Sequence, residues 1–222
     1  MMILYHGSES IVNKQTIDLK KTKDDFGPGF YLTDDRELAS EWACSGNGPG
    51  YVNGYSIDTS DLDILDLDTT DDSILQWLSL LLQNRTIVPS TITMKKGMKY
   101  IQRHHSIDTD QYDVIRGCRA EGSIFSIARA FLSNQISLER LSSVIGSEDA
   151  GRQFVLKSPK ALNRIEFIGF EEVDHDIHHS RYLERNRRLR TGLQDNDRDG
   201  TFIRDIVRED GIDGFLRRDI PG

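Results

Sequence analysis

The chain has 222 residues, 37% hydrophobic and 29% charged, with a formal net charge of -8. That length suits one large domain or a domain with an appendage, and it can bury a core without staples. The acidic balance argues against a generic nucleic-acid coat, and no run approaches the roughly 20 apolar residues of a membrane span. Cys44 and Cys118 match no metal spacing, and a structural disulfide between them is not expected. The opening MMILYHGS lacks a basic segment followed by an apolar stretch, so no secretory signal and a cytoplasmic location are expected.

MMILYHG reads as a short buried strand ending in a polar pair, and GFYLT as a second strand. DDRELASEWACSG opens on N-cap residues, carries Leu38, Ala39, Trp42 and Ala43 on one helical face, and stops near Gly46. YVNGYSID and DILDLD read as two strands or one bent ribbon. In DDSILQWLSLLLQNR, Ile74, Trp77, Leu78, Leu81 and Leu82 recur at helical spacing behind an Asp/Ser cap. TMKKGMKYIQRH predicts a helix weakened by Gly97, YDVIRG a strand, and SIFSIARAFLSN and SLERLSSVIG two helices, the second capped by Ser137. RQFVLKS, PKALNRI and IEFIGFEEV read as strand, short helix and strand, and SRYLERNRRLRTG as a helix closed by Gly192. Strands interrupted by helices at irregular spacing predict an α+β chain.

Three polar stretches are weighed as metal sites and set aside. DLDILDLD reads as a strand or turn with Leu62, Ile64, Leu65 and Leu67 partly inward. His175 to His179, HDIHH, has no acidic or cysteine partners at ligand spacing. The 195–206 stretch opens like a calcium loop with Asp195, Asp197, Asp199 and Gly200. Ile206 stands where the bidentate Glu belongs, so a polar loop is expected.

Two signals remain. LYHGS puts a histidine and glycine at the end of the first strand. FGPGFYLT turns tightly into a strand whose Tyr31 precedes Trp42 by one helix. Each alone reads as packing: a capped strand, two core aromatics. Together, YHGS, DFGPGFYLT, YDVIRG and QFVLKSPKAL, in this order between Ile3 and Phe170, resemble the ADP-ribosyltransferase superfamily of the diphtheria-toxin and poly(ADP-ribose) polymerase type. More closely, they resemble an uncharacterised bacterial family within it.

The resemblance implies a split antiparallel sheet core over 1–173 with helical insertions, and a helical extension over 174–222. It implies NAD as substrate. His6 would bond the ribose of the adenosine half, Gly7 would pair its backbone with the nicotinamide amide, and Ser8 would lie beside them. Tyr31 and Trp42 would sandwich the nicotinamide ring, and Gly27 and Gly29 would allow close backbone approach. On that picture Tyr31→Phe is mild, because the ring face does the work.

The family's triad is His-Tyr-Glu, yet Gln153 stands at the third position, with Glu121 and Asp113 as candidate replacement carboxylates. An uncharged third member favours single transfer over chain growth. The activity implied is mono-ADP-ribosylation of a protein or nucleic acid, by a toxin of a toxin–antitoxin or anti-phage system held by a neutralising partner. The alternatives are a non-catalytic binding module and an NAD glycohydrolase. Arg181, Arg185, Arg187, Arg188 and Arg190 would form a solvated face, a phosphate-contacting patch or a docking face.

Overall fold

In a computed structural model of the chain, residues 1–14, 24–46, 48–67, 71–191 and 200–208 are described. Two sheets carry the strands. The first has the order β1 (Met2–Ser8), β3 (Gly50–Ile57), β7 (Ile165–Val173), all antiparallel. The second has the order β2 (Phe30–Leu32), β6 (Arg152–Leu156), β5 (Val114–Cys118), β4 (Ile64–Asp66). Among the described residues one backbone bridge links the sheets, where Tyr5 and Thr33 exchange bonds of 2.7 and 2.9 Å. His6 follows Tyr5 at this seam.

The chain is α+β, as its spacing predicts. One pair departs from an all-antiparallel core, since β4 runs parallel to β5. Parallel neighbours need a long crossover. Here α2 (Asp71–Asn84) and α3 (Ile92–His104) supply it. YVNGYSID and DILDLD are therefore separate strands in different sheets, and Ile64 is exposed, while Leu62, Leu65 and Leu67 are buried.

Strand alternation sorts the core. Phe30 and Leu32 of β2 and Phe154 and Leu156 of β6 pack between the two sheets with Leu4, Tyr55 and Ile57. The opposite face turns Tyr31 and Val155 toward the helices, against Trp77, Leu78, Phe131 and their neighbours. That layer comprises α2, α3, α4 (Gly122–Leu132) and α5 (Leu138–Ile145). Ser137 caps α5 by accepting from Arg140 N at 3.1 Å, and Thr91 caps α3 through Met94 N at 3.1 Å. Gly97 does not break α3: a Cβ there would lie 2.4 Å from Ile203 Cγ1, so the glycine admits the helical turn over 203–208.

A short α6 (Pro159–Leu162) joins β6 to β7. The last long helix, α7 (His175–Thr191), starts five residues before the predicted one. Asp174 bonds Ile177 N at 3.1 Å, which places HDIHH in the first turns. Packing favours this early start. His175 Nε2 bonds Gly46 O at 2.7 Å and His179 Nδ1 bonds Cys44 O at 3.2 Å, fastening α7 to the end of α1 (Arg36–Ala43). Both cysteines are buried free thiols. Among the described residues, no helix is long and apolar enough to cross a membrane. Gly192, Asp195, Asp197 and Asp199 lie outside the described residues.

Candidate functional site

A cleft of about 370 Å³ opens at the seam of the two sheets, within the roughly 300–1,000 Å³ of small-molecule sites. His6 and Gly7 reach it from β1, Tyr31 from β2, Gln153 from β6 and Trp42 from α1, with Gly29 at the turn. Tyr31 lies opposite Val155, two residues from Gln153, so the period of two puts Tyr31 and Gln153 on one face of the sheet. His6 joins them across the seam: its Nδ1 bonds Tyr31 O at 2.8 Å. A carbonyl only accepts, so Nδ1 carries the proton and Nε2 of the neutral ring is an acceptor.

The glycines answer to packing as well as to any ligand. A Cβ on Gly7 would lie 1.9 Å from Ala39 O, so β1 and α1 touch backbone to backbone. On Gly29 it would lie 2.3 Å from Val155 Cγ1. Ser8 does not line the cleft; its hydroxyl donates to Ser10 O at 2.6 Å and accepts from Asn53 at 3.2 Å.

Both aromatics are engaged by the chain itself. The Tyr31 hydroxyl donates to Gly27 O at 2.6 Å and accepts from Phe26 N at 3.1 Å, closing the turn that precedes its own strand. Burial pushes that phenol well above its ordinary range. The hydroxyl is therefore a structural group, so Tyr31→Phe is expected to cost stability even where the ring face still serves a ligand. Trp42 carries the Arg119 guanidinium 4.2 Å from its ring centroid, so one face of the expected second wall already holds a cation. Its Nε1 is buried with no hydrogen-bond partner among the described residues.

The cleft's charges are Arg85 and Arg119 against Asp24, Asp25 and Glu121. Glu121 lines it but is ion-paired with Arg119. Asp113 is not there. It sits at the start of β5, bonded to Ser158 and Lys160, and these partners hold its carboxyl at about 2. The carboxylate beside Gln153 is Asp25, which no sequence motif singles out. Gln153 is buried, and its Nε2 donates to Asp25 Oδ2 at 3.3 Å. Ala120 N donates to the same oxygen at 2.9 Å, and Arg85 pairs with Oδ1 at 3.1 Å. Burial pushes the Asp25 carboxyl up, against the pull of the Ala120 N–H and Arg85. The one sequence cue was its place directly before the Phe-Gly-Pro-Gly turn.

The arginines of α7 are partnered within the chain. Arg181 pairs with Glu37, Arg185 with buried Glu41 at 3.0 Å, Arg187 with Glu184 at 2.8 Å and Arg188 with Asp149 at 2.6 Å. Arg190 Nε donates to Ser123 Oγ at 3.0 Å. Arg181 and Arg185 fix α7 to α1, Arg188 to the turn before β6 and Arg190 to α4, while the Arg187 pair lies within α7. Among the described residues, no group of three or more His, Cys, Asp or Glu side chains is placed to hold a metal ion.

Residues 2–167 match the model of the family described as Protein of unknown function (DUF3990). No curated protein and no solved structure matches the chain. The matched span contains every residue of the cleft and ends before α7.

Proposed function

The chain belongs to the DUF3990 family, whose description assigns no activity, and we propose from the cleft that it is an NAD-dependent mono-ADP-ribosyltransferase. The observation that carries the proposal is the convergence of His6, Tyr31 and Gln153, from three strands of two sheets, on one cleft. Chemistry supports the reading. A dinucleotide brings a dianionic pyrophosphate, which suits Arg85 and Arg119. It also brings a cationic ring and a sugar that gains positive charge as the glycosidic bond breaks, which suits the carboxylates of Asp24 and Glu121 in the same cleft. His6 Nε2 and the Gln153 amide are the groups that would read ribose hydroxyls. In the reaction the bond from ribose to nicotinamide breaks, the acceptor's nucleophile bonds the same carbon, and the acceptor loses a proton. Positioning and exclusion of water supply most of what this step requires.

The acceptor is proposed to be a protein or nucleic acid, and a neutralising partner protein belongs to the same proposal through the toxin resemblance. A second reading, a nucleotide-binding module without turnover, draws support from Arg119 on the Trp42 ring and from the uncharged Gln153. Pure protein incubated with NAD labelled in both halves separates them. Nicotinamide release with label on a macromolecule supports transfer. Release with free ADP-ribose makes water the acceptor. Binding without release favours the module, and neither binding nor release refutes both.

A further inference from the structure

Gln153 lines the cleft from β6, and a ligand there would meet whichever end of its side chain is turned inward. A primary amide offers donors at one end and an acceptor at the other. Asp25 accepts from Gln153 Nε2 at 3.3 Å, from Ala120 N at 2.9 Å and from Arg85 Nη1 at 3.1 Å. An ionised carboxylate only accepts, so it takes the NH2 end of Gln153 and leaves Oε1 as the end available to the cleft. Asp25 is 4% exposed and Gln153 2%, so water competes weakly for either group and the bond is correspondingly directive.

We infer that Asp25 is the positioning residue of the cleft, holding the Gln153 amide with its oxygen toward the ligand so that β6 accepts a hydrogen bond from a ligand hydroxyl. The kinetic consequence rests on the transferase reading, in which that hydroxyl is on the nicotinamide ribose. The coupling between the two side chains does not rest on it. Arg85 is part of the device, since it keeps a cation on Oδ1 while Oδ2 serves Gln153. The other charged or titratable groups facing Asp25 are Arg119 and Glu121 from the segment after β5, Asp24 from its own turn and Tyr31 from β2. When Asp25 takes a proton in acid, its O–H can donate to Oε1, which inverts the amide and presents donors to the cleft.

Two readouts test this on the full chain. The first is the side-chain amide signal of Gln153 in glutamine-labelled protein, assigned by its loss in Gln153→Ala. It should move as Asp25 titrates in the parent, and stop moving in Asp25→Asn, which keeps an acceptor for Ala120 N. A signal that ignores both pH and Asp25→Asn overturns the inference, whatever the catalytic outcome. The second is a double-variant cycle in nicotinamide release. Asp25→Ala should lower kcat about tenfold or more with a smaller change in KM. Added to Gln153→Ala, it should cost nothing further, because Asp25 acts through Gln153. Losses that multiply overturn the inference. A parent that releases no nicotinamide sinks the transferase reading alone, and the amide signal still decides the positioning.

Discussion

Tyr31→Phe removes one oxygen atom and isolates what that oxygen does. The hydroxyl donates to Gly27 O at 2.6 Å and accepts from Phe26 N at 3.1 Å, and both of those residues are buried. The turn they form carries Gly27 at a φ of 80°, a left-handed conformation that costs little only for glycine. Without the hydroxyl, a buried donor and a buried acceptor lose their partner. Each stranded group costs about 1–3 kcal/mol. The neighbouring cleft admits some water, so the lower end applies and the sum is about 2 kcal/mol. For a chain of this size that corresponds to a fall of about 4–8 °C in melting temperature. The ring is retained, so ligand contact with its face should survive once the protein is folded. Thermal unfolding of parent and variant, each with and without NAD, is the assay. A variant that melts with the parent would show that the hydroxyl does not hold the turn, and the account of why FGPGFY needs its tyrosine would be wrong.

Four further outcomes are expected. Gly7→Ala should destabilise by at least about 3 kcal/mol, because its Cβ would sit 1.9 Å from Ala39 O and 2.7 Å from Ala43 N; parent-like denaturant unfolding would contradict the backbone contact. Arg185→Ala should cost about 3 kcal/mol by leaving the Glu41 carboxylate buried and unpaired, with Glu41→Leu/Arg185→Met recovering much of it; equal melting of all three proteins would refute the pair. The Asp113 carboxyl is held at about 2, below its unfolded value of roughly 3.9. It therefore adds stability above the unfolded value and loses it as pH falls from about 4 toward 2, so Asp113→Asn should flatten that limb of the stability curve, and superimposable curves would exclude the effect. His6→Ala should lower NAD turnover while the fold persists, and a folded variant with normal turnover would remove His6 from the site.

What could be read from sequence was local. The Asp35 cap, the apolar face of α2 and the short strands β2 and β6 each depend on neighbours a few residues apart, and each is found in the structure. The glycine turn and the two aromatics could be singled out for the same reason. What could not be read depends on partners far along the chain. Asp25 meets Arg85, Ala120 and Gln153 across 60, 95 and 128 residues. No spacing rule connects these, so Asp25 looked like one more acid in a polar turn. The arginines of α7 look like a basic stripe because most of their acids lie elsewhere, Glu37 and Glu41 on α1 and Asp149 between α5 and β6. HDIHH reads as a histidine cluster outside the helix because His175 and His179 bond carbonyls at the end of α1, which only the tertiary packing brings near. Arg119 on Trp42 belongs to the same class, since α1 and the end of β5 meet only in the folded chain.

The central claim is that the cleft between β1, β2 and β6 receives NAD, and a crystal structure with an unreactive NAD analogue tests it most directly. The account predicts the analogue in the cleft, with a ribose hydroxyl at about 3 Å from the Gln153 amide oxygen, the nicotinamide ring against Tyr31 and the pyrophosphate toward Arg85 and Arg119. A saturating analogue that leaves this cleft vacant, or that binds elsewhere on the surface, would contradict it.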